Sequence, residues 1–378
     1  MAALSHRERI TKALNHEEAD RVPRDLGQAI ATGINTEAYN RLVKHLGLEV
    51  EAAGTEIDHQ SQIALPCEAL LQRFDIDCRG LFVGRPSKAL TENSYVDEWG
   101  VFWSKPEEGG HFIFRDGPFQ KKDPTLAEVE AHPWPNPKDP ERVKGLREQA
   151  QKLRNETDYA IVLRLPYGTV YDCQKIRGFA QFLEDLVINP ALAEALMEHS
   201  LMVEMGIVEL ALEAIGEYVD VVCFPDDLGF QDRPYVRPEL YRKMIKPYHR
   251  RTVETIRSNT KAKVLMHTDG AVYPLIPDFI DIGVDILNPV QISAKDMEAR
   301  RLKTEFGADI SFWGGIDTHR VLPTGTPAEV RNEVKERIED FAPGGGFVLG
   351  SVHNILAEVP AENVVVMFDS ALEYGNYR

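Results

Sequence analysis

The sequence predicts an α/β protein of one domain, a (β/α)8 TIM barrel, and three observations carry that reading. The chain has 378 residues, the size of one large α/β unit or two medium domains, and barrels of this type often run to about 250 residues or more. From Pro140 onward, short apolar runs alternate with amphipathic helical patterns, and strand–helix alternation means a parallel sheet. No strand-like run is followed by GxGxxG, which favours a closed barrel over an open dinucleotide-binding sheet.

The elements follow in order. Ser5 caps a helix through about Asn15, and RVPRDLG after it reads as a short extended segment. A second helix spans about Asn35 to Leu46. The stretch from Gly80 to Asp123 is aromatic and alternating, as in YVDEWGVFW and HFIFRDG, and predicts a hairpin or small sheet. HPWPNPKDP, with four prolines, is an extended connection. A helix over 141–155 then leads to YAIVLRL (159–165). The later runs are VDVVCF (219–224), KVLMH (263–267), VDILNP (284–289), ISFWGG (310–315) and GFVLGS (346–351), with helical patterns between them. Continuous apolar runs are what fully buried parallel strands look like. The expected organisation is one domain over 1–378, with N-terminal helices and a β excursion to about 140 and regular units from about 141 to 378.

Composition removes several functional classes. The net charge is −17, the wrong sign for a protein that tracks a phosphate backbone, so no nucleic-acid partner is expected. No stretch reaches the length of a membrane span. The first residues are polar and charged, unlike a signal peptide, and a cytoplasmic location is expected. Cys67, Cys78, Cys173 and Cys223 form no CxxC pair, so neither a zinc ribbon nor a disulfide scaffold is indicated. Cys223, inside an apolar run, reads as core.

In a barrel the chemistry gathers where strands end, at the C-terminal face. The apolar runs lead there into Arg164, Tyr167 and Tyr171; Asp226 and Asp227; His267 and Asp269; Asn288 and Gln291; Trp313; and His353. A single Asp or Asn in such a place commonly caps a helix, but the whole set points to a small-molecule site. His267 and Asp269, at i and i+2, project to one side of an extended segment. With His353 they offer two imidazoles and a carboxylate, a donor set suited to zinc with positions left open. The alternative is a metal-free hydrogen-bonded rim. His249 and His319 read as surface residues. Arg24, Arg79, Arg164 and Arg177 lie beside strand-like segments, and one or two of them entering the cleft would hold carboxylates.

These residues resemble the uroporphyrinogen decarboxylase superfamily. The likeness runs from RERITKALNHEEADRVP through CFPDDLGFQ, HTDG, GVDILNPVQ, FGADISFWGGIDT and GSVHNILAEVPAENV. It implies a barrel with a deep C-terminal cleft and one of two activities. The first is cofactor-independent decarboxylation of uroporphyrinogen, or here of a smaller carboxylated substrate. The second is methyl transfer between a small methylated compound and a corrinoid protein, commonly with zinc. The decarboxylase branch carries an arginine-rich N-terminal segment where this chain has PRDLGQAIATG, with Arg24 alone nearby. Tyr171 and His353 match that branch's tyrosine and late histidine, and Asp75 or Asp77 its acid. The methyltransferase branch has HxCG; here His267-Thr-Asp269-Gly270 stands in its place and His353 at the distant cysteine.

The resemblance therefore favours a zinc-assisted methyltransferase or demethylase acting on an O- or N-methyl compound. Zinc would sit on His267, Asp269 and His353, and cobalamin on a partner corrinoid protein. Asp226, Tyr171 and His353 are the acid–base candidates. Arg24, Arg79, Arg164, Tyr167, Asp227, Asn288, Gln291 and Trp313 are the candidate substrate contacts, with Phe312 and Phe230 as further apolar wall. A homodimer is expected.

Overall fold

Seven parallel strands pair in the order in which they occur along the chain: β1 Cys78–Phe82, β2 Ala160–Arg164, β3 Val221–Pro225, β4 Lys263–His267, β5 Ile286–Asn288, β6 Ser311–Ile316 and β7 Phe347–Ser351. The computed structural model describes residues 4–29, 31–49, 56–106, 111–121, 123–166 and 168–377. The strands are packed on both faces. Ile161, Val222, Leu265, Leu287, Phe312 and Val348 have no exposed surface, which is why they read as unbroken apolar runs rather than alternating ones.

The eighth place in the ring belongs to the segment 22–26. Arg24 forms a parallel bridge with Leu349 of β7. Asp25 N donates to Leu349 O at 2.9 Å, and on the other side Asp77 N donates to Arg24 O at 3.0 Å, just before β1. The segment so joins both edges of the sheet and closes a (β/α)8 barrel. Its Pro23 lacks an N–H and accepts only, from Leu349 N, so RVPRDLG carries no strand signature of its own.

The regular barrel thus begins well before residue 141. The aromatic stretch read as one small sheet divides in two: Cys78–Phe82 is a barrel strand, and the rest builds a four-stranded antiparallel sheet from Ser87–Thr91, Ser94–Asp97, Phe102–Ser104 and Ile113–Asp116. A smaller antiparallel sheet joins Ile34–Asn35, Ile63–Ala64 and Glu56–Asp58.

Helix α1 (His6–Leu14) opens on a capping box: Ser5 Oγ accepts from Glu8 N, and Glu8 Oε2 accepts from Ser5 N. It lies across the N-terminal strand ends, where Gly346 N donates to Ala13 O and Arg7 N to Asp158 O, both at 2.7 Å. Beneath it Arg9, Arg21 and Arg24 pair with Asp20, Asp75 and Asp77.

Helix α2 (Thr169–Arg177) has no counterpart in the sequence reading. It starts at Gly168, where a Cβ would fall 1.7 Å from Pro225 O; only glycine lets the loop after β2 ride on the end of β3. Its first free N–H groups are satisfied from another strand: Asp226 accepts from Val170 N (2.8 Å) and Tyr171 N (2.7 Å), a carboxylate at the positive end of a helix. The longer helix α3 (Pro190–Ile215) packs against it, and α4 (Lys246–Asn259) packs against α3.

Candidate metal and substrate site

The site is built from the loops after β3, β4 and β7. His267 is the last residue of β4, and its side chain is 6% exposed. Its Nδ1 lies 2.7 Å from Asn288 Oδ1, and Asn288 Nδ2 donates to Trp313 O at 3.0 Å. The second bond fixes the amide, so the carbonyl oxygen faces the imidazole. Nδ1 must then carry the proton, which leaves the Nε2 lone pair for the cleft, the arrangement of a histidine held ready as a ligand.

Asp269 follows two residues later. Gly270 N donates to Gln291 Oε1 at 2.8 Å, and Gln291 Nε2 to Gln231 Oε1 at 2.8 Å, so Gln291 braces this loop. Gly270 has φ +92° and a Cβ there would lie 2.3 Å from Gly229 O, so the loops after β3 and β4 touch only because it is glycine. That approach sets Asp269 N donating to Asp227 Oδ1 at 3.0 Å.

Across the mouth, His353 on the loop after β7 is 40% exposed, with Nε2 3.7 Å from Asp269 Oδ2. His267 Nε2 lies 3.9 Å from Asp269 Oδ2 and 3.7 Å from Asp227 Oδ1. One ligand atom from each of His267, Asp269 and His353 falls within 4.8 Å of the others. Desolvation in the cleft lowers the His353 pKa. Burial, reinforced by the neighbouring Asp269 carboxylate, pushes Asp227 up to about 6.

The other expected residues fall into two groups. Tyr171 stands on α2 near this site, its hydroxyl accepting from Gln60 Nε2 at 3.0 Å, and Arg164 ends β2 at the same face. The remainder are not brought to the mouth. Asp226 is buried, and besides capping α2 its Oδ2 lies 2.8 Å from His249 Nε2. His249, read as a surface residue, is 1% exposed and also meets the Tyr241 hydroxyl at 3.1 Å; α4 turns it inward against Asp226. Arg24 is fully buried at the N-terminal end, bonded to Asp75 at 2.5 Å. Arg79 forks onto Glu68 and lies 3.5 Å from the Tyr159 ring centroid, since the second residue of β1 cannot reach the far end of its strand. Arg177 pairs with Asp185. Trp313 and Phe312 are core rather than wall, and Trp313 Nε1 donates to Asp25 Oδ2 at 3.0 Å. Phe230 packs on Tyr235. Tyr167 lies outside the described residues.

A cavity of about 310 Å³ opens at the ends of β1 and β2, and none of His267, Asp269 and His353 lines it. Phe82, Arg164 and Lys175 line it from the barrel, and Asp58, Tyr95 and Trp103 from the excursion. The sequence reading missed these last three. The alternation in SYVDEWGVFW predicted a sheet, but not that this sheet folds over the barrel mouth.

Residues 112–374 match the family model described as uroporphyrinogen decarboxylase (URO-D). Among solved structures, a methyltransferase from Methanosarcina mazei is similar at 18% identity, with 98% of this chain and 99% of that chain covered and a TM-score of 0.66. A B12-independent methionine synthase from Shewanella sp. W3-18-1 follows at 11% identity, 80% and 84% coverage and a TM-score of 0.43. A beta-glucosidase from Pyrococcus furiosus follows at 9%, 95% and 96%, and 0.44. At 18% identity the first likeness speaks to the barrel alone. No curated protein sequence matches the chain. The family match covers well over half of the chain and spans β2 through β7 with every candidate ligand, so this protein belongs to the uroporphyrinogen decarboxylase family.

Proposed function

We propose that the protein is the substrate-side methyltransferase of a corrinoid system. It takes a methyl group from the oxygen or nitrogen of a small compound and passes it to cobalamin on a partner protein, with zinc held by His267, Asp269 and His353. The observation that carries this is the convergence of three donor atoms within 4.8 Å at the barrel mouth, with His267 Nε2 turned outward by Asn288. Donors around a tetrahedral zinc stand about 3.4 Å apart. The separations of 3.7 and 3.9 Å close to that with small side-chain rotations, so the residues fit the ion. Two imidazoles and a carboxylate leave a position open for substrate.

When bound, the ion supplies Lewis acidity to the heteroatom that loses its methyl group. The protein does the rest. Asn288 fixes the imidazole of His267, and Gln291 fixes the loop of Asp269. Asp227 keeps one oxygen on Asp269 N, which leaves Oδ2 for a donor on the substrate or for the proton that the demethylated heteroatom takes up. A reduced corrinoid would supply the nucleophile that accepts the methyl carbon, and the electron pair of the broken bond would stay on the heteroatom.

The decarboxylase reading has less support. Arg24, the N-terminal arginine available to grip carboxylates, is ion-paired at the opposite end of the barrel. The deciding measurement is metal content by elemental mass spectrometry, with turnover of methylated compounds by reduced corrinoid protein. We expect near-stoichiometric zinc in the native protein and none in a His267→Ala, His353→Ala double variant. Absence of bound zinc after reconstitution would sink the mechanism.

A further inference from the structure

We infer that the cavity between the antiparallel sheet and the ends of β1 and β2 is a carboxylate seat, and that Arg164 there holds the anionic end of a small organic acid with a flat apolar body. The word substrate for that acid rests on the methyl-transfer reading; the seat itself does not.

Asp97 on the cavity wall is saturated, accepting from Trp99 N, Val101 N and Trp103 Nε1 at 2.9 to 3.0 Å. Lys175 Nζ lies 2.5 Å from Asp172. Asp58 accepts from Ser61 N and faces Arg85 at 4.0 Å. The half-buried guanidinium of Arg164 has no hydrogen bond and no ion pair among the described residues; the Phe82 ring centroid lies 5.1 Å from it, and the carboxylate acting most strongly on it, Asp58, already faces Arg85. Desolvation pulls its pKa below the ordinary arginine value. A cation held out of water without a counter-ion is costly, and a guanidinium fork matches the plane of a carboxylate with two parallel N–H donors.

The walls specify the rest of the ligand. Phe82, Tyr95 and Trp103 present three aromatic rings to the cavity, which favours a flat apolar body. The volume of about 310 Å³ lies at the lower end of ligand clefts, about 300–1,000 Å³, and suits a single substituted ring. Sheet geometry relates the seat to the metal donors. Arg164 pairs with Cys223, and Pro225, further along the same strand, pairs with His267. One strand therefore separates β2 from β4, about 10 Å across the sheet, the length of one ring with a substituent at each end.

The test is calorimetric titration of the full chain with benzoate and with its neutral isostere benzamide. Benzoate is expected to bind the native protein about tenfold or more tightly than benzamide, and Arg164→Met to remove that preference while leaving benzamide unchanged. Ser87→Asp, an exposed change at the cavity rim, should weaken benzoate alone. It keeps the test valid if Arg164→Met fails to fold. Equal binding of the two ligands, no binding of benzoate, or indifference to both variants would overturn the seat. The two readings fail separately. Arg164-dependent benzoate binding without methyl transfer from any methylated compound keeps the seat and discards the methyltransferase. Methyl transfer that runs equally well from 4-methoxybenzoate and 4-methoxybenzamide does the reverse.

Discussion

The two ends of this barrel both collect charged side chains, and they treat them in opposite ways. At the N-terminal end Arg9, Arg21 and Arg24 meet Asp20, Asp75 and Asp77 at 2.5 to 2.7 Å. Asp77, fully buried, is bonded by His6 at 2.9 Å and accepts from Arg21 and Arg9, and this company holds its carboxyl well below the usual range. At the C-terminal end the ionisable side-chain atoms of His267, Asp227, Asp269 and His353 stand 3.7 to 3.9 Å apart, two carboxylates share one loop junction, and Arg164 has no ion pair among the described residues. Closely paired charge at the first end braces the barrel, although Arg24 Nε and Nη1 stay buried there without a hydrogen-bond partner among the described residues. Unsaturated charge at the other is capacity left for something the protein binds.

That contrast breaks most sharply at Asp77. Asp77→Ala removes the buried carboxylate that Arg9 and Arg21 share, leaving them Asp20 and Asp75, and urea denaturation should show a loss of about 3 kcal/mol, with zinc per folded molecule unchanged. A loss of zinc at native stability would erase the distinction between the ends. Glu204 on α3 probes the ground beneath the C-terminal face. It takes bonds from Thr169 Oγ1 and Thr252 Oγ1, yet burial pushes it up to about 8. An acid whose folded pKa is raised keeps its proton in the folded protein after the unfolded chain has lost it. Stability therefore falls as pH rises from about 4.5 to about 8, by at most about 1.4 kcal/mol per pH unit, and levels off beyond. Glu204→Gln should flatten that slope in denaturation measured across the window.

The smaller effects concern the site alone. Asn288→Ala frees the His267 ring, and chelator competition should report a metal affinity lower by about 10- to 100-fold. An unchanged affinity would mean that the Asn288 bond does not orient a ligand. His353→Ala should move stability by no more than about 0.5 kcal/mol, because the residue is 40% exposed and braces nothing, while zinc binding falls. A large loss of stability would place His353 with the structural charges after all.

Much of this was legible in the sequence. Six of the seven strands stood out as apolar runs, because burial on both faces leaves no alternation to mask them. The cluster of His267, Asp269 and His353 was legible for a similar reason, since its residues lie at or just after strand ends. Three things were hidden. The segment 22–26 is recognisable as a strand only by the two edges it joins. Helix α2 begins on a cap lent by Asp226, far along the chain. The cavity walls come from a sheet whose docking no local pattern records.

The residue types and their order in the sequence determined the barrel, the face on which chemistry collects, and three ligand-capable residues. These depend on periodicity and on position relative to strand ends, which are local properties of the chain. Tertiary structure decided which charges are spent and which are open. Asp226 and Asp227 are adjacent in sequence, yet one is consumed by α2 and His249 while the other faces the cleft. Arg24, Arg79 and Arg164 are equally arginine, yet the first two are paired where they lie. Whether a charge has a partner is set by which segments fold against it, and pairing across tens or hundreds of residues leaves no trace at either position alone.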